Sequence, residues 1–192
     1  MTIFLILAPY GAFSLVMLVT PTPVSLFAAA AIGMIVIAID VLRGRSIKIL
    51  GAGSAMLFTA IGAWLTLVDP DLSNSMVKLA VDSGVFAISL GSLAVRFPFT
   101  LQYAREIVDA ETAGLPGFMT ANYIITAAWT GAFLLMMAAN VLMMYVPGLP
   151  FWSGLVIAFA ARNSAAYFTK WYPAYRKAKY GVPAPAGALI GI

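Results

Sequence analysis

Six long apolar segments constrain this 192-residue chain more than any other feature of its sequence. A membrane-spanning helix needs about 20 predominantly apolar residues. The predicted spans are residues 3–20, 24–42, 47–68, 76–95, 120–146 and 151–169. Charged residues make up only 9% of the chain, whereas a soluble domain carries about 25%. The sequence therefore predicts an all-α fold, a polytopic transmembrane helix bundle of six spans.

Turn-forming residues separate these segments. The sequences TPTPV, RGRS, DPDLSNS and PGLP interrupt the apolar pattern between neighbouring spans. The first segment lacks the positive charge that opens a secretory signal, and the PTPVS after it is a poor cleavage site. We therefore expect a retained first span within one transmembrane domain, residues 1–172. A basic juxtamembrane segment and a weakly ordered tail are expected over residues 173–192.

Basic residues are distributed unequally between the two sides of the predicted bundle. They follow spans two, four and six, as Arg43, Arg45, Lys48, Arg96, Arg105, Lys170, Arg176, Lys177 and Lys179. The opposite side has only Lys78, which lies near Asp69 and Asp71. Because basic residues favour cytoplasmic loops, the sequence predicts that both termini are cytoplasmic.

The sequence KWYPAYRKAKYG, which follows span six, interleaves aromatic and basic residues. This composition is typical of an interfacial anchor on an anionic leaflet. The predicted lipid-binding residues are Lys170, Arg176, Lys177 and Lys179. Because the basic residues lie beside spans rather than on a soluble face, no nucleic-acid partner is predicted.

The chain contains no cysteine and no histidine. This excludes disulfides, cysteine-held iron–sulfur clusters, histidine-ligated haem and zinc sites of the usual ligands. It also excludes Ser-His and Cys-His nucleophilic catalysis. We predict no cofactor and no catalytic residue.

The sequence RFPFTLQYARE, residues 96–106, is the most polar and specific run of the chain, at the cytoplasmic end of span four. Pro98 can begin a new helix, and Thr100 is its expected N-cap. Apolar residues then recur on one face and polar residues on the other: Leu101, Ala104, Ile107 and Val108 against Gln102, Arg105, Glu106 and Asp109. The pattern predicts an amphipathic helix in the headgroup region, at about residues 99–112. It is interpreted as a solvated connector or as a gate or partner-docking helix, with candidate residues Thr100, Gln102, Tyr103, Arg105 and Glu106.

RFPFTLQYARE, together with the later NYIITAAW, resembles a segment of uncharacterised bacterial inner-membrane proteins. That family is similar, more distantly, to the intracellular septation protein A group of small polytopic envelope proteins. The resemblance covers about residues 90–135. It implies a protein of the bacterial plasma (inner) membrane that is linked to envelope or division machinery. It carries over no catalytic residues.

Span six contains a central arginine, in the sequence AFAARNSAAYF. Arg162 lies about 16 Å below the predicted outer end of the span, at about 1.5 Å per residue. An arginine at that depth costs at least about 2.5 kcal/mol, so a partner or water is expected. Depth makes Asp82 the first candidate partner and Asp40 the second. Alternatively, span six ends early and Arg162 reaches the inner surface.

Two further spans have polar faces. In span four, a stripe within about 40° contains Lys78, Asp82, Ser89 and Arg96. It is interpreted either as a cavity-facing stripe or as end charges that reach the headgroups. In span five, one face contains Asn122, Thr126, Trp129, Phe133 and Asn140. The two asparagines of this face, Asn122 and Asn140, predict hydrogen bonds to neighbouring helices. The methionines of LLMMAANVLMMYV predict adaptable packing, with a copper(I) path as the alternative.

Small residues recur in FAAAAIG, GAGSA and NSAA, and they predict close helix packing. Three functional classes fit the sequence. The first is a non-enzymatic, envelope-associated assembly protein with a membrane-protein partner or a homo-oligomer. The second is a small-solute or lipid transporter or channel, with a polar pathway near Asp82 and Arg162. The third is a membrane enzyme that uses the cytoplasmic carboxylates of residues 105–111.

Overall fold

A computed structural model describes residues 3–146 and 148–180, and all regular elements in those ranges are helices. They are α1 (Ile3–Val16), α2 (Thr22–Leu42), α3 (Ile49–Leu67), α4 (Asn74–Ala94), α5 (Phe99–Arg105), α6 (Ala110–Gly114), α7 (Pro116–Tyr145) and α8 (Phe151–Tyr180). The predicted tail, residues 181–192, lies outside the described residues. The all-α prediction is confirmed for the part of the chain that is described.

Four of these helices, α2, α3, α4 and α7, are long and apolar enough to cross a membrane. The bounds of α2, α3 and α4 agree with the predicted spans within about two residues. The α1 helix has 14 residues, fewer than the roughly 20 that a span requires. The α8 helix is long enough, but its apolar half contains Arg162 and Asn163. Length and composition therefore indicate a membrane protein, and spans at α1 and α8 stay predictions.

The helices pack largely in chain order. α1 contacts α2, which contacts α3, and α3 contacts α4. α7 then packs between α4 and α8, while the short α5 lies against α7. Aromatic rings hold α1 to α3, because the ring centroids of Tyr10 and Phe13 lie 5.3 and 5.6 Å from that of Phe58. The protein is thus a row of helices whose neighbours share apolar faces.

Glycines of α3 and α4 allow these two helices to approach closely. A Cβ atom placed on Gly53 would lie 2.9 Å from Cδ1 of Ile88, and one on Gly84 would overlap the side chain of Leu57. In both places the added Cβ atom would be closer to its neighbour than ordinary van der Waals contact allows. The GAGSA sequence therefore packs a helix against its neighbour, as predicted.

α8 continues across the predicted boundary between residues 172 and 173, through Pro173 to Tyr180. α7 also begins before its predicted span, at Pro116. Each helix has 30 residues and is about 45 Å long, longer than the hydrocarbon core of about 30 Å. The extension is stabilised where Nη1 of Arg176 donates a hydrogen bond of 2.5 Å to the Gly117 carbonyl. The basic residues Arg176, Lys177 and Lys179 therefore belong to α8 itself.

Candidate functional site

The RFPFTLQYARE segment forms a shorter helix than its sequence predicts. α5 begins directly after Pro98 and ends at Arg105, and α6 begins only at Ala110. The predicted single helix over about residues 99–112 is therefore wrong, and so is the N-cap at Thr100, which lies inside α5. Asp109 breaks the continuity, because its carboxylate accepts a hydrogen bond of 2.6 Å from the Thr112 amide and caps α6. This hydrogen bond lowers the pKa of Asp109.

Thr100 joins α5 to α7. Its hydroxyl lies 3.0 Å from the Asn122 carbonyl oxygen, to which it donates, and 2.7 Å from the hydroxyl of Thr126. Phe99 and Leu101 are buried, whereas Ile107, predicted to face lipid, is exposed. α5 is therefore docked inside the helix bundle rather than lying freely on its surface.

Gln102 caps α3 instead of facing water. Its Oε1 accepts a hydrogen bond of 2.6 Å from the Ile49 amide, and its Nε2 donates one of 3.2 Å to the Ile47 carbonyl. α3 has no cap from its own first turn, and the first amides of a helix need partners from outside it. Both polar groups of the Gln102 side chain are hydrogen-bonded to the backbone at the start of α3. The predicted solvated position of Gln102 is therefore wrong.

Lys48 lies at the centre of a buried charge cluster. Its ammonium is 2.5 Å from Oε1 of Glu106 and 3.4 Å from Oδ2 of Asp40, and it donates to the Ser46 carbonyl at 2.9 Å. The side chains of Lys48 and Asp40 are only 3% and 6% exposed. Arg45 completes the cluster, with Nη1 3.6 Å from Oδ1 of Asp40. Asp40 is therefore the ion-pair partner of Lys48 and Arg45 and not of Arg162.

A small cavity of about 20 Å³ adjoins this cluster. Its lining includes Asp40, Lys48, Ser54 and Tyr103. Oδ1 of Asp40 is buried and has no hydrogen-bond partner. Burial raises the pKa of Tyr103 above its ordinary value, and Tyr10, Asp40 and Glu106 act in the same direction. Tyr103 therefore stays protonated at physiological pH and keeps its hydroxyl proton available as a donor.

The predicted pairing of Asp82 with Arg162 is not present. Asp82 Oδ2 instead accepts a hydrogen bond of 2.5 Å from Nδ2 of Asn140. No ion pair within 4.0 Å joins Asp82 to Arg162, both of which are described. Their depths are compatible, but the rotation of α4 turns Asp82 towards α7.

Other polar side chains of the predicted spans join neighbouring helices. The hydroxyls of Ser89 on α4 and Thr130 on α7 are 2.6 Å apart. Nε1 of Trp129 on α7 donates a hydrogen bond of 2.9 Å to Thr169 on α8. Tyr10 on α1 is hydrogen-bonded to Ser54 on α3. On the span-five face, hydrogen bonds to another helix are thus made by Thr126, Trp129 and Asn140. The bond predicted for the asparagines is observed for Asn140, whereas Nδ2 of Asn122 donates to the Phe118 carbonyl of its own helix.

Arg96 does not belong to a polar stripe within span four. α4 ends at Ala94, and Arg96 is exposed in the turn that follows. Its φ of 58° lies in the left-handed region, where residues other than glycine are uncommon. The turn reverses the chain before Pro98 and directs α5 back onto α7.

Two polar residues that the sequence analysis treated only as part of a small-residue cluster, NSAA, lie beside Arg162. Asn163 and Ser164 are exposed near the middle of α8. Nδ2 of Asn163 donates a hydrogen bond of 2.7 Å to the Phe159 carbonyl of its own helix. Nε of Arg162 is buried and has no hydrogen-bond partner. Three consecutive polar residues inside an apolar segment, RNS, were the sequence signal that identifies this patch.

The described residues contain no group of three or more His, Cys, Asp or Glu side chains that could hold a metal ion. Comparison of the sequence and structure with protein-family models, curated proteins and solved structures finds no match. The resemblance to the septation protein A group accordingly stays a prediction.

Proposed function

We propose that this chain is a six-span protein of the bacterial plasma membrane, with both termini cytoplasmic, that acts without catalysis as an envelope-associated assembly protein. The observation that supports this proposal best is the RNS patch of α8, residues 162–164, which is polar in the middle of an apolar helix. Polar groups exposed at mid-membrane depth are costly in lipid. A neighbouring membrane helix that supplies hydrogen-bond acceptors and donors would remove that cost.

Two observations support spans at α1 and α8. The few residues between Val16 and Thr22 return the chain as α2, and α1 packs alongside that helix, which is long and apolar enough to cross a membrane. At the other end of the chain, α8 packs on the long α7 through the Trp129–Thr169 hydrogen bond. With six spans, all three basic clusters of the sequence lie on the same side of the membrane.

The chemistry of the patch points to a partner helix with a carboxylate or amide side chain near its middle. A carboxylate would accept hydrogen bonds from Arg162, and an amide would pair with Asn163 as donor and acceptor. Ala160 and Ser164, which are four positions apart, are both exposed and lie on one face of α8. Small residues at that spacing permit two helices to approach closely.

The test is to compare complexes formed in bilayers by the wild type and by Asn163→Leu. Solubilisation in mild detergent, sizing and mass spectrometry report both partners and homo-oligomers. Thr59→Val is a matched control, because Thr59 is exposed on α3 and its hydroxyl bonds the Ala55 carbonyl of its own helix. We expect Asn163→Leu to lose the complex and Thr59→Val to keep it. A wild-type protein that is monomeric and alone in membranes would contradict the proposal.

The basic end of α8 supports membrane anchoring as part of this proposal. Lys170, Lys177 and Lys179 are exposed, and basic residues near an anionic surface gain about 1 kcal/mol each. Arg176 differs from them because it also bonds the start of α7. We expect the Lys177→Gln and Lys179→Gln double variant to retain less phosphatidylglycerol than the wild type in native mass spectrometry.

A second function is favoured by Asp82. This carboxylate lies part-buried in α4, hydrogen-bonded to the neutral Asn140, with no cation within 4.0 Å among the described residues. An ionisable side chain inside a membrane span commonly marks a substrate or ion pathway. If the protein is a small-solute transporter or channel, Asp82→Asn abolishes flux in proteoliposomes without loss of folding. Flux that persists at the wild-type rate would exclude this pathway.

A further inference from the structure

We propose that Asn163 pairs with Asn163 of a second copy of this chain, so that the α8 helices of the two copies pack against each other in the membrane. The inference rests on the proposed function, because it needs a span at α8 and it names the partner of the RNS patch. The surface concerned is called the α8 seam below, and it consists of Val156, Ala160, Asn163 and Tyr167.

The α8 seam lies on the side of α8 that points away from the rest of the described chain. α8 is the last helix of the row, and it packs on α7. Ala161 and Ala165 are buried, and at about 100° per residue both lie about 160° around the helix from Asn163. All four residues of the seam are exposed. One side of α8 is therefore covered by α7, and the opposite side is open to a partner.

The spacing of the seam suits the packing of two helices side by side. Its residues are separated by four, three and four positions, the alternation with which helices of bundles and coiled coils interlock. They lie within about 60° of each other around α8. Ala160 is small enough to let two helix backbones approach closely. The next position of the pattern is Lys170, where repulsion between two ammonium groups ends the seam.

The Asn163 side chain has hydrogen-bonding capacity that its own chain leaves unused. One N–H of its amide donates to the Phe159 carbonyl at 2.7 Å. The amide has a second N–H and an oxygen that accepts hydrogen bonds, and no described residue bonds either of them. The hydrocarbon region of a bilayer supplies neither donor nor acceptor. Two facing amides satisfy each other, because each donates its free N–H to the oxygen of the other.

A second copy is favoured over a partner of different sequence by symmetry. Two copies inserted in the same orientation are related by a two-fold axis along the membrane normal, so a residue near the axis meets its own counterpart at the same depth. Asparagine is both donor and acceptor and is therefore complementary to itself. Arg162 does not oppose the pairing, because its Nε is buried within its own chain. A different protein would have to place an amide or carboxylate at that depth independently.

Cysteine cross-linking tests the seam, since the chain contains no cysteine of its own. Leu155 and Val156 are adjacent and similarly exposed, at 58% and 55%, but Leu155 lies about 100° around the helix from Val156 and outside the seam. A disulfide needs Cβ atoms about 3.5–4.5 Å apart. Under mild oxidation in liposomes, we expect Val156→Cys to form a covalent dimer and Leu155→Cys to remain monomeric. Equal cross-linking of the two variants, or none in either, would overturn the proposal.

The role of the amide is tested by energy transfer between labelled copies in liposomes, with the label on a single cysteine at the exposed Glu111. We expect Asn163→Leu to weaken self-association about tenfold, the effect of losing hydrogen bonds between membrane helices. Asn163→Gln keeps the amide and should keep the association. Equal affinity of Asn163→Leu and the wild type would contradict the pairing.

The same experiments separate this inference from the proposed function. A chain that does not self-associate in liposomes, but that co-purifies from membranes with another protein through Asn163, overturns the self-pairing and leaves the assembly function standing. A chain that neither self-associates nor binds another protein overturns both.

Discussion

The Lys48 ammonium lies 2.5 Å from the Glu106 carboxylate, although 58 positions separate the two residues in the chain. This ion pair connects the start of α3 to the residue that follows α5. Gln102 makes a second connection between the same two elements, at the Ile49 amide. The segment between α4 and α7 therefore holds α5 against the start of α3 at one end of the bundle.

The first prediction concerns Lys48. Lys48→Met removes the cation and leaves Asp40 and Glu106 without it. Loss of one partner of a buried ion pair costs about 3–5 kcal/mol, so we expect a large fall in stability. Thermal denaturation in mild detergent measures it. The double variant Lys48→Met and Glu106→Leu should lose less than the sum of the single losses, since the charge of Glu106 is then removed and only Asp40 lacks the Lys48 cation. Additive losses would show that the pair is not coupled.

The second prediction concerns the cap of α3. Gln102→Leu leaves the Ile49 amide without its partner, which costs about 1–2 kcal/mol. Amide hydrogen exchange should show faster exchange in the first turn of α3 and no change in α4. The control is Glu111→Gln, an exposed change on α6. Equal protection of Ile49 in the wild type and in Gln102→Leu would disprove the capping role.

The third prediction separates Asn140 from Arg162 as partners of Asp82. In double-mutant cycles, Asp82→Leu with Asn140→Leu should show a coupling of about 0.6–1.7 kcal/mol, the range for hydrogen bonds between membrane helices. Asp82→Leu with Arg162→Leu should be nearly additive, because no direct contact joins those residues. Reversible unfolding in bilayers or bicelles provides the free energies. A larger coupling to Arg162 than to Asn140 would contradict the observed geometry.

The fourth prediction tests the proposed orientation of the spans. Single cysteines can be introduced cleanly, because the chain contains none. Asp71 and Glu111 are both exposed and lie at opposite ends of α4 along the chain. An impermeant thiol reagent should label Asp71→Cys on intact cells and Glu111→Cys only after the membrane is opened. The reverse pattern of labelling would show that the topology is opposite to the one proposed.

The sequence by itself determined where the helices lie and which side chains allow them to approach. Apolar length predicts α2, α3 and α4 within about two residues, because hydropathy and turn residues are local properties. The close approach of α3 and α4 at Gly53 was likewise visible in the small-residue cluster GAGSA, whereas Gly84 on α4 lies in no such cluster. Hydrogen bonding at Asn140 was expected from an amide inside a span.

Only the tertiary structure decided which polar groups meet. Depth along a helix follows from a residue's number, but the direction in which the side chain points depends on how neighbouring helices rotate and pack. Asp82 is therefore hydrogen-bonded to Asn140 and does not contact Arg162. Asp40 forms an ion pair with Lys48. Gln102 and Glu106 resemble solvated residues of a connector in the sequence, and only the docking of α5 brought them to α3. Contacts between residues distant in the chain depend on this packing, which no local pattern encodes.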